Sequence, residues 1–461
     1  MLQTVKKAWH VPEIRRKMLV VLFILVLYRI GAVIPVPFVD AETFSEIFSA
    51  KYSTTIFSYL STLSGGAMES VTLFALGISP YITASIVMQL LTVAFPKLGE
   101  RAKNGEEGKQ FINKWTRITT VILAVVTAIG YYVLLARDGA LVAGASYKDG
   151  GVWLLYAAVI VISFCAGASL VMWLAEKINE NGLGNGISLI LFFNIIASLP
   201  KTLESLIGVV IEGFYVGPWN GIGGIGFGLL ILLALLAMTF FVIFVTGSER
   251  RIPVQYAKRQ VGRKMYGGQS TNLPLQLNMS GVMPVIFASS IVSLPTTILV
   301  LCGVSNTTKG FWGAFYRVFD ANGWVYPILL FALIIAFAYF YITISFNPIE
   351  VANNLKKNGG MIPGIRQGRP TAEYIARILS KITLMGALFL SIIAIVPIIA
   401  RPLVIQPILS GVMGGELFAA QLASSFTFGG TSLLIVVGIA LETARELEAQ
   451  LTMRNHKGFL S

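Results

Sequence analysis

Charged residues are scarce in this chain. Asp, Glu, Lys and Arg make up 12% of its 461 residues, whereas hydrophobic residues make up 55%. A chain with so little charge cannot cover a water-soluble surface, which excludes the ordinary soluble globular classes. We therefore predict an integral membrane protein with room for about ten crossings of roughly 20 residues each.

Cysteine and histidine are nearly absent. Cys165 and Cys302 have no partner at the spacing of a metal or redox site, which argues against a disulfide framework. His10 and His456 lie near the termini, too far from the apolar segments for a proton relay. The sequence contains no HExxH, GxSxG or Walker motif and no pair of intramembrane carboxylates. We expect no catalytic site, metal or cofactor, so that any driving energy comes from another protein.

Ten apolar segments follow one another along the chain. They lie at about 18–36, 78–95, 118–135, 152–172, 183–199, 225–247, 280–301, 326–346, 378–400 and 429–444. With the N-terminus inside, the inner segments carry 25 Lys and Arg and the outer loops carry 7. Because positive charge is retained on the cytoplasmic side, both termini are predicted to be cytoplasmic, and the net charge of +13 describes a basic inner face.

The region between residues 37 and 95 has room for only one crossing, which Ile78–Phe95 supplies. The preceding stretch at about 57–77 is semi-apolar, contains Ser64, Gly65, Gly66 and Ala67, and must return to the outside. Two structures fit this pattern. One is a re-entrant segment inside the bundle, hinged near Gly77, and the other is an outside loop of small residues.

Charge at membrane depth is limited to very few side chains. Arg29, late in the first apolar segment, is expected to have a structural role, and Glu442 is expected at the inner interface. Ion-driven transporters usually keep charged residues in the membrane to bind the coupling ion. This scarcity counts against a polytopic secondary transporter, which is the alternative function. An intramembrane enzyme would need a nucleophile with a base, and the sequence offers no convincing pair.

Two long basic segments, 248–279 and 347–374, lie on the predicted inner side. Basic loops are often topology determinants only, but about thirty residues exceed the usual connection length. Their length favours docking of a large, partly anionic partner such as a ribosome or a cytosolic motor. Five apolar segments precede the connection at 200–224 and five follow it. This count predicts two inverted halves, 1–199 and 225–446, on either side of a central path. A cytoplasmic tail at 447–461 is expected to follow.

Several sequence motifs carry a family resemblance. They are FALGISPYI at 74–82, GNGIS at 184–188, YAKRQ at 256–260, GVMPVIFASS at 281–290, NNLKK at 353–357, PGIR at 363–366 and FGGTSLLI at 428–435. With these motifs the chain resembles the SecY family, the channel subunits of the bacterial Sec translocon, over roughly residues 12–445. The resemblance implies an all-α membrane protein with ten helices in two inverted halves around an hourglass pore.

The same resemblance implies the parts of a protein-conducting channel. The stretch at about 57–77 would be a plug, with Ser64, Gly65, Gly66 and Ala67 at its turn. The waist of the pore would be lined by Ile78, Ile82, Ile187, Leu191, Ile286 and Ile435. Aliphatic side chains make no hydrogen bonds to ions or water, so a narrow ring of them blocks leakage. Without the family, each of the six reads as ordinary helix packing.

A lateral gate is implied between the second and seventh helices, flanked by the third and eighth. Gln89 would lie near Ser289 and Ser290, with Thr127 as a further candidate. Such polar residues could hold the gate shut with hydrogen bonds worth about 1 to 2 kcal/mol, or they are routine interhelical contacts. Signal sequences and nascent polypeptides would open the gate towards the membrane lipids.

The resemblance also implies partners at a plasma membrane that the chain crosses many times. These are small SecE-like and SecG-like membrane subunits, the SecA motor ATPase and the translating ribosome. The expected motor and ribosome contacts are Arg250, Arg251, Lys258, Arg259, Arg263, Lys264 and Arg366. Three features depart from the family. Gln367 stands where many members have proline, Glu442 replaces a common aspartate, and the external segment 401–428 is long and contains Gly411-Val412-Met413-Gly414-Gly415.

Overall fold

The computed structural model describes residues 2–52, 55–102, 104–142, 145, 153–216, 222–256, 259–261, 264–266, 270–304, 308, 310–320, 323–400 and 416–457. The helices are α1 (Leu2–Trp9), α2 (Pro12–Gly31), α3 (Ala41–Ile47), a π-helix (Phe48–Tyr52), α4 (Ile56–Leu63), α5 (Ser79–Ala94), α6 (Pro96–Ala102), α7 (Gly105–Asp138), α8 (Trp153–Asn181), α9 (Gly186–Val216), α10 (Ile222–Gly247), α11 (Met283–Leu301), α12 (Phe311–Phe319), α13 (Val325–Ser345), α14 (Pro348–Lys357), α15 (Arg369–Ala400) and α16 (Glu416–Lys457). The strands are β1 (Glu249–Tyr256), β2 (Arg259–Val261), β3 (Lys264–Tyr266), β4 (Ser270–Gln276) and β5 (Gly360–Met361).

Each of the ten apolar segments falls on a helix: α2, α5, α7, α8, α9, α10, α11, α13, α15 and α16. Within the described residues, five helices are long and apolar enough to cross a membrane, namely α7, α8, α11, α15 and α13 with its continuation α14. The pair α5 and α6 adds a sixth candidate, bent by 110°. Pro96 follows Phe95 at this bend, and the residue before a proline is disfavoured in helical conformation. The arrangement is consistent with ten crossings, and that count stays a prediction.

Two predicted boundaries differ from the structure. The connection predicted at 200–224 is largely helical, because α9 continues past Pro200 to Val216 and α10 begins at Ile222. The polar Lys201 and Glu204 lowered the hydropathy there without ending the helix. The segment predicted to be external, 401–428, includes the first residues of α16, which begins at Glu416, and its glycine-rich run lies outside the described residues.

A small β-sheet joins the two basic segments, and their sequence patterns did not predict it. Strand β1 pairs antiparallel with β4, and its last residues pair with β5, so that Tyr256 lies opposite Gly360. Ile252 and Val254 alternate with exposed residues along β1 and are buried with Leu275 and Ile375. The segments 248–279 and 347–374 therefore share one small hydrophobic core beneath the bundle.

Candidate pore, plug and lateral gate

The six predicted waist residues come from four helices. Ile78 is the N-cap of α5 and Ile82 follows one turn later, Ile187 and Leu191 lie on α9, Ile286 on α11 and Ile435 on α16. All six are between 0% and 8% exposed and belong to one hydrophobic cluster. Helix α11 packs against both α5 and α16, and α9 packs against α16. The structure thus buries all six in one apolar cluster to which four helices contribute, and their role as the waist of a pore stays a prediction.

The predicted plug lies inside the bundle. Helix α4 ends at Leu63, and the chain then turns through Gly65 and Gly66, whose φ angles of +69° and +85° favour glycine. Ser64 and Ala67 are only 3% and 1% exposed. This burial favours the first of the two structures that the sequence allowed, a re-entrant segment, and its role as a plug stays a prediction.

Backbone and side-chain hydrogen bonds secure the return of the plug. The amide of Leu73 donates to the carbonyl of Ile34 at 2.8 Å, and Tyr131 Oη on α7 donates to the carbonyl of Met68 at 2.6 Å. Gly167 allows the backbone of Leu73 to lie close against α8, because a Cβ at position 167 would lie 1.9 Å from the carbonyl oxygen of Leu73. Gly77, the predicted hinge, has a φ of +55° immediately before α5.

Arg29 and Asn194 contact the turn of the plug. Arg29 Nη1 donates to the carbonyl of Gly65 at 3.2 Å, in keeping with the structural role expected for this side chain. Asn194 Nδ2 on α9 donates to the carbonyl of Leu63 at 2.8 Å. Sequence reasoning missed Asn194, although a polar amide within the apolar run of α9 is the signal that could have found it.

The predicted gate residues form different hydrogen bonds from those expected. Gln89 Nε2 donates to Ser85 Oγ within α5, and the hydroxyls of Thr127 and Ser290 donate to carbonyls one turn back on their own helices. This is the usual local bond of a hydroxyl in an apolar helix. Within the part of the chain that the structure describes, Ser289 alone of the four bonds another element, because Tyr59 Oη on α4 donates to its Oγ at 3.1 Å. Among the described residues, Gln89 bonds within its own helix and not across the predicted gate, and its role there stays a prediction.

Helix α7 lies in close contact with α11 along the predicted lateral gate. A Cβ at Gly130 would lie 2.7 Å from Leu301 Cδ1, so the absence of a side chain allows the contact. Arg137 Nη1 donates to the carbonyl of Gly303 at 2.7 Å. Deeper in, α4, α5, α7 and α11 enclose an apolar cavity of about 100 Å³, into which Thr127 and Ser290 extend.

The C-terminal end of α7 also contacts the π-helix. Tyr52 Oη donates to Asp138 Oδ2 at 2.7 Å, and Lys51 pairs with the other carboxylate oxygen of Asp138. Burial, together with this neighbouring carboxylate, raises the pKa of Tyr52 above its ordinary value of 10.0. The phenol therefore stays a hydrogen-bond donor throughout the physiological pH range.

The basic residues of the inner segments are only partly described. Arg250, Arg251 and Arg366 are exposed, and Arg251 pairs with Glu249 on the same strand. Arg366 follows Gly364, whose φ is +81°, at the tip of a turn. Lys258 and Arg263 lie outside the described residues, and Arg259 and Lys264 are described only as parts of β2 and β3.

The turn that carries Arg366 is tied to the sheet. Gln367 Nε2 donates to the carbonyl of Gly360 in β5 at 3.2 Å, and Thr371 Oγ1 donates to the carbonyl of Arg366 at 2.7 Å. The glutamine that stands in place of a proline thus supplies a hydrogen bond that restrains the same turn.

Comparisons with known proteins agree on one family. A family model described as SecY matches residues 72–444. The chain is 44% identical over 468 aligned positions to the protein translocase subunit SecY of Streptomyces coelicolor, and the alignment covers 100% of both proteins. A solved structure concerning the plug domain of the SecY protein has a TM-score of 0.60 at 17% identity, and Sec61 in a canine ribosome-channel complex has a TM-score of 0.57 at 17% identity, each covering 96% of both chains.

Proposed function

The chain belongs to the SecY family, and from this premise we propose that it is the channel subunit of a protein translocase. It conducts unfolded secretory polypeptides across the membrane and releases apolar segments sideways into lipid. The single observation that carries the proposal is the burial, in one apolar cluster, of six aliphatic side chains from α5, α9, α11 and α16.

A constriction of these six side chains explains how a wide substrate crosses without a leak. Branched aliphatic side chains offer no hydrogen bonds to water or ions, so the closed waist stays dry. They form no fixed polar bonds with one another either, so an entering chain displaces them at the cost of packing alone. When the chain has passed, hydrophobic contact closes the waist again.

Lateral release follows from the position of the gate. An apolar stretch of about 20 residues is more stable in lipid than in an aqueous pore. Its exit requires α7 and α5 to separate from α11, and Gly130 and Arg137 contribute contacts that resist this separation.

Both termini and the sheet of β1, β4 and β5 are proposed to face the cytoplasm, with two inverted halves above them. The sheet presents Arg250, Arg251 and Arg366 to a SecA-like motor ATPase or to the phosphates of a translating ribosome. Small SecE-like and SecG-like subunits complete the channel. Polypeptide movement is driven by the motor or by synthesis, since the proposed channel role involves no chemistry.

A secondary transporter of solutes is not supported. The family and the fold both point to protein-conducting channels. The waist consists of aliphatic side chains and offers no ligand for a coupling ion.

A stalled secretory chain tests the function directly. Photoactivatable probes replace Ile82 and Ile286, and vesicles contain the full channel complex with motor and nucleotide. We expect both probes to crosslink to the stalled chain, whereas a probe at Ile160, equally buried on α8, does not. Crosslinks from Ile160 as strong as those from Ile82, or none from either waist position despite a stalled chain, would contradict the proposal.

A further inference from the structure

Two polar side chains donate hydrogen bonds to the backbone of the plug at its turn. Arg29 Nη1 on α2 donates to the carbonyl of Gly65 at 3.2 Å. Asn194 Nδ2 on α9 donates to the carbonyl of Leu63 at 2.8 Å and also to Tyr28 Oη at 2.9 Å. Asn194 is 0% exposed. Two separate helices of the bundle thus hold two carbonyls that lie only two residues apart in the plug.

The plug sequence is shaped to fit these two side chains. Gly65 has a φ of +69°, and a Cβ there would lie 3.2 Å from Asn194 Oδ1 and 3.3 Å from Arg29 Nη1. Glycine therefore adopts this backbone conformation without strain. Its lack of a side chain also allows its carbonyl to lie within hydrogen-bond distance of the guanidinium. A larger residue would push the turn away from both donors.

We propose that Arg29 and Asn194 are positioning residues that hold the plug in its closed position until a polypeptide enters. This clasp consists of their two side chains and the carbonyls of Leu63 and Gly65. The inference rests on the proposed function, because it assigns the closed state of that channel to particular donors.

The chemistry of the clasp makes it reversible. Both acceptors are neutral carbonyls, so no ion pair has to be broken when the plug leaves. Asn194 Oδ1 is buried and has no hydrogen-bond partner among the described residues, which raises the free energy of the closed arrangement. Once the plug moves, water entering the outer funnel can bond this oxygen and the released guanidinium. The closed state is therefore held, but not so tightly that a polypeptide cannot displace it.

Accessibility of the plug to a water-soluble thiol reagent tests the clasp without any substrate. In the full channel complex, with Cys165 and Cys302 replaced by alanine, Ala67→Cys places a thiol at a plug position that is 1% exposed. We expect Arg29→Met and Asn194→Ala each to increase its labelling rate about tenfold, which corresponds to losing a charged or buried hydrogen bond. The same variants should increase passive ion leak through resting vesicles. Arg29→Lys, which keeps the charge, should give an intermediate rate.

Two controls separate a clasp from a general loosening of the fold. Ala387→Cys on α15 is also 1% exposed, and its labelling rate should not change in the variants. Arg15→Met, at an exposed position near the other end of α2, should leave the labelling of Ala67→Cys unchanged. Unchanged plug labelling in Arg29→Met and Asn194→Ala, or equal acceleration at Ala387→Cys, would overturn the clasp. Failure of the wild-type complex to translocate a precursor would instead overturn the proposed function.

Discussion

Tyr59 Oη on the plug helix α4 donates a 3.1 Å hydrogen bond to Ser289 Oγ on α11, where both side chains are buried. Ser289 Oγ in turn donates to the carbonyl of Ile286, a residue of the waist. Helix α11 is also one side of the proposed lateral gate. The proposed plug, waist and gate therefore meet at one hydroxyl pair, so that movement of α11 is expected to disturb the plug at the same time.

Tyr59→Phe should make the channel easier to open. The change removes the bond to Ser289, which is worth about 1 kcal/mol, while Ser289 keeps its bond to Ile286. We expect precursors with weakened signal sequences to be translocated roughly fivefold faster into vesicles. Tyr132→Phe is the matched control, because Tyr132 Oη donates to the carbonyl of Ala145, away from α11. Equal stimulation by the control would show that the effect is not specific to the bond with Ser289.

Gln89→Leu should leave the insertion threshold nearly unchanged. In the structure the amide of Gln89 bonds Ser85 on the same helix, so its loss breaks no contact across the gate. Insertion of a graded series of apolar segments measures the threshold, and we expect it to stay within about twofold of wild type. A shift as large as that of Tyr59→Phe would restore the role that the sequence suggested for Gln89.

Local patterns predicted the elements of the fold well. Runs of apolar residues located the helices, and the small residues Ser64 to Ala67 marked a segment that the structure buries. Contacts between distant residues were not predictable from one sequence. Tyr59 and Ser289 are 230 positions apart, and nothing near either residue indicates the other. The pairing of β1 with β5 was also missed, because the two strands are far apart in the sequence. In addition, β5 is only two residues long and leaves no pattern of its own.

Asp40 should make the short helix α3 sensitive to acid. It caps α3, where Thr43 Oγ1 donates to its Oδ2 at 2.6 Å and the amide of Thr43 donates to its Oδ1 at 3.2 Å. Both bonds lower the pKa of Asp40 below its ordinary value of 3.8, and the bond from the Thr43 hydroxyl has the largest effect. A lowered pKa in the folded state means that the stabilisation is present at neutral pH and is lost as the pH falls through that lowered value.

Hydrogen exchange of the α3 amides measures this effect. After correction for intrinsic exchange rates, protection should fall between pH 7 and the acid side of the Asp40 titration. Asp40→Asn keeps a capping oxygen but cannot titrate, so its protection should not change over the same range. Equal acid sensitivity in Asp40→Asn would assign the effect to another group.

Gln367→Ala should weaken engagement of a motor. Its amide holds the turn of Arg366 to Gly360, and losing one part-buried hydrogen bond costs about 0.5 to 1 kcal/mol. We expect motor-driven translocation to fall about two- to fivefold, corresponding to that free energy. Gln367→Pro should retain more activity than Gln367→Ala, because proline restrains the turn by another route. Arg366→Glu should abolish the motor-driven rate, and intact translocation in that variant would show that Arg366 is not the contact.

Gly130→Ala should loosen the closed gate by steric overlap. The new Cβ would lie 2.7 Å from Leu301 Cδ1, so α7 must move away from α11 or Leu301 must leave its position. Overpacking of this kind costs about 1 to 3 kcal/mol, and here that cost falls on the closed state alone. We expect faster translocation of precursors with weakened signal sequences and a higher passive ion leak.

A second substitution at the contact decides whether the overlap is the cause. Leu301→Ala removes the atoms that the new methyl group would meet, so Gly130→Ala with Leu301→Ala should leak less than Gly130→Ala alone. Gly247→Ala serves as the control for adding a methyl group to a helix, since a Cβ there meets nothing within 4 Å. If the double variant leaks as much as the sum of the single variants, the two residues act independently. The loosening would then come from α7 itself and not from its contact with α11.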